Sequence, residues 1–168
     1  MRISALALAV MLGAVAAYAQ TAPAPPSPTA AYDRAISNTW KNLHTKVLDM
    51  AKDFPEDKLG WKPHPDSRTM AQEFRHVTIG LEMTTAVMKG EKFDFTATEK
   101  SADAKPNRRA SIVADMEAAL AASLAWIDAN GPKPSLIGWI DHQGEHYGKM
   151  VDGYRVNGLV PPVSRPKK

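Results

Sequence analysis

His142 and His146 stand four residues apart in a segment of helical periodicity. Residues i and i+4 lie one above the other on a helix, so both imidazoles reach one point. A histidine pair at that spacing is a usual grip on a divalent metal. Alone the spacing is a weak signal, because His-x-x-x-His also occurs on solvated surfaces. Three features strengthen it. The pair flanks an apolar stripe, in line with Trp139, Met150 and Gly153. Gly144 and Gly148 lie in the same segment, and a helical glycine costs about 1 kcal/mol relative to alanine. Their presence predicts close approach of a neighbour or a ligand. His76 sits between apolar positions of another segment, near Gly80. As a third ligand its burial gains a reason.

Weaker candidates surround these three. Glu73 lies one turn before His76 and would orient that ring from behind, as metal-bound histidines usually require. It equally suits a helix start, where the dipole favours an acid. His44, four residues past Trp40, is a candidate acid/base or extra ligand, with a partly exposed histidine as the plainer alternative. His64, between two prolines, reads as a loop residue. Asp141 and Glu145 flank the pair but point elsewhere on the helix, so they read as solvated. Beyond His44 and Glu73 no catalytic residue stands out.

Four helices position these groups. The first runs from about Ala31 to Asp53. Ile36, Trp40, Leu43, Val47, Met50 and Phe54 recur at steps of 4, 3, 4, 3 and 4, a helical stripe. Pro55 ends it. Pro63 and Pro65 hold the connection extended, with Leu59 and Trp61 packing it down. Ser67 or Thr69 caps the second helix, and Thr69 with Gln72 makes a capping-box pattern. Met70, Phe74, Val77, Leu81 and Met88 are its core stripe, and Gly90 its stop. Residues 91–107 are polar, contain Pro106, and read as a long loop, of the kind that often lies over a site. The third helix spans Arg108–Ala129, with Ile112, Met116, Ala119, Leu120, Leu124 and Ile127 inward, and Asn130-Gly131-Pro132 as its end. The fourth spans Ser135–Val156, with Leu136, Ile140, Tyr147, Val151 and Tyr154 on its stripe. With no credible strand, the expected fold is an all-α, up-down four-helix bundle over residues 32–162. The scattered methionines and tryptophans are core fillers.

Two stretches resemble a known family. Asp141-His-Gln-Gly-Glu-His-Tyr-Gly-Lys149, followed by Tyr154-Arg-Val-Asn-Gly-Leu-Val-Pro-Pro162, is similar to the fourth-helix signature of the DinB-like superfamily. Leu59-Gly-Trp-Lys-Pro-His-Pro-Asp-Ser-Arg-Thr69, leading to Phe74-Arg-His-Val77, resembles that family's second-helix entry. The resemblance implies a four-helix bundle of the DinB-like type with metal ligands at His76, His142 and His146. Many members carry a further histidine before the last ligand and a basic residue after it. Here those positions are Glu145 and Tyr147, which leaves the substrate open. Characterised relatives include thiol-dependent transferases and isomerases, so the resemblance implies a metal-dependent enzyme acting on a small-molecule substrate. It also allows a homodimer.

The ends and composition bound the rest. Residues 1–19 open with Arg2, continue through an apolar run of about 15 residues and close on Ala17-Tyr18-Ala19, a signal-peptidase pattern. A spanning helix needs roughly 20 residues, so the expectation is a cleaved signal, an exported (periplasmic or secreted) protein and no stable membrane insertion afterwards. Pro23, Pro25, Pro26 and Pro28 mark residues 20–31 as a tether. Residues 163–168 form a short basic tail. Cleavage removes Arg2 alone and lowers the formal charge from +3 to +2, too balanced to imply nucleic acid as a partner. Cysteine is absent, which excludes disulfides, thiolate catalysis and Cys-ligated metal.

One divalent ion held by three neutral nitrogens keeps a free coordination position, as catalytic sites do. Zn, Ni, Fe and Mn all accept imidazole. Two readings follow: an enzyme of thiol-dependent transferase or hydrolase type, or a non-catalytic metal-binding or stress-related protein whose ion ties two helices together.

Overall fold

The computed structural model describes residues 28–166. The expected signal peptide, residues 20–27 of the tether and the last two lysines lie outside the described residues. Five α-helices follow in order: α1 (Pro28–Asp53), α2 (Met70–Lys89), α3 (Phe95–Asp103), α4 (Arg109–Asn130) and α5 (Leu136–Val156). No strand occurs among the described residues. The fold is an all-α bundle of α1, α2, α4 and α5.

The sequence stripes form its core. All six α1 stripe residues are buried, as are Met70, Phe74, Val77, Leu81 and Met88 of α2. Ile112, Met116, Ala119, Leu120 and Ile127 fill in from α4, and Leu136, Met150 and Tyr154 from α5. Full burial of side chains of this size stabilises by about 1.5–3 kcal/mol each. Two of the largest side chains inside pair their polar ends: the Trp40 indole donates to Ser123 Oγ at 2.9 Å, and the Tyr154 hydroxyl donates to the Met50 carbonyl at 2.7 Å. Helix α2 has the expected start and stop. Thr69 and Gln72 form a complete capping box, and Gly90 closes the helix at φ 77°.

Helix α1 starts at Pro28, inside the stretch expected to be tether up to residue 31. Proline is tolerated in a first turn, where its missing N–H is not needed.

The helix directions differ from simple up-down alternation. Glu73 meets His146 and Met70 lies against Gly153, so α2 and α5 run oppositely. Lys52 pairs with Glu117 and Trp40 with Ser123, so α1 and α4 also run oppositely. Arg75 of α2 reaches Asn107 at the start of α4, so those two begin at the same end. The order is therefore up, down, down, up. The connection from α2 to α4 must recross the bundle, and its length does that: α2 alone spans about 30 Å at 1.5 Å per residue. That connection is not a plain loop. It contains α3, capped by Asp94, whose side chain accepts from the Ala97 amide at 3.0 Å. The tail is not purely solvated either: Arg165 grips Asp53 at 2.8 and 2.5 Å.

Candidate metal centre

The helical spacing of α5 places His142 and His146 as expected. His146 is buried and His142 is exposed. Their Nε2 atoms are 3.2 Å apart. From α2, the buried His76 ring comes in at 4.5 Å from the His146 ring and 6.3 Å from the His142 ring, centre to centre. One ligand atom from each of the three lies within 4.8 Å of the others. The structure thus brings together three residues from two antiparallel helices, 66 positions apart at their nearest in sequence for His76 and His142.

Two carboxylates hold the rings from behind. The Nδ1–H of His146 donates to Glu73 Oε1 at 2.6 Å, and the Nδ1–H of His76 donates to Glu99 Oε1 at 3.1 Å. Carboxylate acceptors set both tautomers, so each ring turns its Nε2 lone pair to the common point. Arg68 Nη2 also donates to Glu99 Oε1, at 3.0 Å. Phe95 packs edge-on against His76 at 5.4 Å. Burial pushes the Glu73 carboxyl up, but the His146 hydrogen bond and charge outweigh it, and the net direction is down. Glu99 behaves alike, with burial opposed by its bonds to His76 and Arg68. Burial is the largest influence on His76 and lowers its pKa against the pull of Glu99. That favours the neutral imidazole a metal needs.

These residues fit a divalent ion. Bonds of about 2.0–2.1 Å at tetrahedral angles put neighbouring nitrogens about 3.3 Å apart, close to the 3.2 Å between His142 and His146. Neither carboxylate belongs to the converging group, and each turns its Oε1 to an Nδ1.

Several expectations need correcting. Glu73 is one turn from His76 but orients His146 across the bundle. The carboxylate behind His76 is Glu99, on α3, in the stretch expected to be a loop; Asp94, four residues after Gly90, is the N-cap signal for that helix. Gly144 and Gly148 make no close approach: nothing lies within 4 Å of where a Cβ would be. The close approaches are at Gly80, against the Gln143 amide, and at Gly153, where Met70 Sδ would lie 2.7 Å from a Cβ. His44 does not join the three histidines as acid/base or extra ligand. His44 is fully buried, packs at a tilt against Trp40 with ring centres 4.1 Å apart, and donates from Nδ1 to the Trp40 carbonyl at 2.8 Å. Burial lowers its pKa to about 4, against the raising effect of that bond. His64, Asp141 and Glu145 are exposed.

Two cavities flank the cluster. One, of about 700 Å³, lies on the carboxylate side and is bordered by Glu73, Glu99, Arg68, Lys149 and Trp61. The other, of about 580 Å³, lies on the ligand side, where His76 and His142 form part of its wall with Phe95 and Trp139. The connection between α2 and α4 therefore does stand over the histidines, through Phe95 and Glu99.

Comparison with known proteins agrees with this architecture. The sequence model of the DinB superfamily matches residues 39–150, which includes all three histidines. No curated protein and no solved structure matches the chain.

Proposed function

Because the chain belongs to the DinB superfamily, we propose that it is an exported metal-dependent enzyme of thiol-dependent transferase or hydrolase type, acting on a small molecule. One observation carries the reading. Three imidazoles converge beside a cavity, and the two acidic groups nearest them are already engaged with ring Nδ1 atoms. An ion held by His76, His142 and His146 would therefore keep a position free for water or substrate.

Bound there, a divalent ion would supply Lewis acidity, lowering the pKa of a coordinated water or thiol. The chain's own residues do the rest. Glu73 and Glu99 lock the two buried rings in the ligating tautomer. His142, the exposed member, stands at the cavity and admits the substrate's reacting group. Phe95 and Trp139 give that side an apolar wall. With no cysteine in the chain, a thiol must arrive as a small molecule.

The second reading is a structural ion. It is favoured by the placement of the ligands on both α2 and α5, which an ion would tie together. Cobalt(II)-substituted protein separates the two. In the enzyme reading 2-mercaptoethanol enters the coordination sphere and produces a sulfur-to-cobalt charge-transfer band. An unchanged spectrum, together with loss of folding when the ion is chelated, would establish the structural reading instead.

A further inference from the structure

We infer that the 580 Å³ cavity on the ligand side binds the uncharged aromatic or branched apolar part of the substrate, and that Gln143 recognises its one polar function. The inference deepens the enzyme reading and rests on it only for what happens at the ion.

The wall of this cavity is the first ground. His76 and His142 open it to the metal-binding point, and Met83, Phe95 and Trp139 make its apolar surface. No Asp, Glu, Lys or Arg lines it. A charged group there would meet no side chain of opposite charge on the wall. The cavity on the carboxylate side is the opposite, bordered by acids and bases alike. The two faces of the cluster are thus chemically distinct, and the apolar one carries the ligand edges of the histidines.

Gln143 is the second ground. It is 1% exposed, and its Oε1 is buried with no hydrogen-bond partner. It sits on α5 next to His142, on the wall of the same cavity, with its amide laid over Gly80 of α2. Only glycine permits that approach, because a Cβ at position 80 would collide with the amide. Buried amides are almost always paired. The Gln143 oxygen is without a donor and its amide borders the cavity, so a ligand there can supply one, and a site built that way rejects molecules lacking the complement. The complement of that oxygen is an N–H or O–H donor, such as a neutral amide carries.

Metal-free protein is the material for the test, with the indole resonance of Trp139 as the probe. Phenylacetamide should bind saturably and shift that resonance. Phenylacetate and 2-phenylethylammonium, of the same shape but charged, should bind at least tenfold more weakly. Gln143→Leu should weaken phenylacetamide at least fivefold while leaving toluene unchanged. Equal binding of the charged analogues would overturn the proposal, as would a Trp139 resonance that none of the neutral probes moves. Equal affinity of the Leu variant for phenylacetamide would remove Gln143 from it. If that variant does not fold, tighter binding of phenylacetamide than of toluene to the unaltered protein decides the same point. Failure of the cobalt–thiol experiment with phenylacetamide binding intact would sink the enzyme reading and spare the cavity; the reverse would sink the cavity alone.

Discussion

Glu73 Oε1 lies 2.6 Å from His146 Nδ1, across 73 residues of sequence and between two antiparallel helices. Both groups are nearly buried. A carboxylate so placed fixes the tautomer of the ring it holds and prevents it from turning. Glu73→Gln keeps an acceptor and removes the charge. Metal affinity should fall by about 10- to 100-fold, read by competition with a chelator. Glu99→Gln should weaken it less, since Glu99 is more exposed and divides its oxygen between His76 and Arg68. Wild-type affinity in Glu73→Gln would refute the orienting role.

The two histidines of α5 should respond differently to truncation. His142 is exposed, so His142→Ala should lose most of the bound metal and leave the metal-free protein's stability within about 0.5 kcal/mol. His146→Ala strands Glu73, a buried acceptor, and should cost about 2 kcal/mol or more in addition to the metal. Urea unfolding of the metal-free variants measures both. Equal destabilisation would show that Glu73 finds another partner.

How much of this was legible depends on the range over which each signal acts. The capping box at Thr69 and Gln72 and the stop at Gly90 are local chemistry, and both stand as read. The spacing of His142 and His146 is local too. His76 joined them through its apolar surroundings. What escaped is non-local. Glu73 was recognised as an orienting acid, but whether it serves the ring three residues away or one on another helix depends on how α2 and α5 pack. Glu99 is 23 residues from His76, beyond any periodic pattern. The direction of α4 was encoded only in the length of the connection that recrosses the bundle.

His44 makes a pH prediction. Its pKa is about 4 in the fold and 6.5 when free. Below pH 6.5 the unfolded chain takes up a proton that the folded one refuses. The contribution is therefore complete above pH 6.5 and is lost as pH falls towards 4. The loss at its limit is on the order of 3 kcal/mol. Metal-free wild type should lose stability between pH 6.5 and 4 more steeply than His44→Leu does. Identical slopes would show that the His44 ring is hydrated in the fold.

Export makes its own prediction. From the Arg2 start, the short apolar run and Ala17-Tyr18-Ala19, a cut after Ala19 is expected. Protein recovered from the cell envelope should have the intact mass of a chain starting at Gln20. Full-length chain starting at Met1 in the cytoplasm would refute it.

The glycines separate packing from propensity. Gly80 and Gly144 both lie inside helices, and propensity alone says that alanine should stabilise each by about 1 kcal/mol. Their surroundings differ. At Gly144 nothing lies within 4 Å of a new methyl group, so Gly144→Ala should deliver most of that gain. At Gly80 the methyl group meets the Gln143 amide, which is itself 1% exposed and has little room to withdraw. Gly80→Ala should therefore destabilise, by about 1–3 kcal/mol as overpacking does. Pressed by that methyl group, the amide loses its place on the wall of the ligand-side cavity, so the same variant should also lose phenylacetamide binding. Urea midpoints on metal-free protein give the stabilities, and the Trp139 resonance gives the binding. If Gly80→Ala is as stabilising as Gly144→Ala, the amide is not held over Gly80, and the close approach of α2 and α5 at this point is wrong.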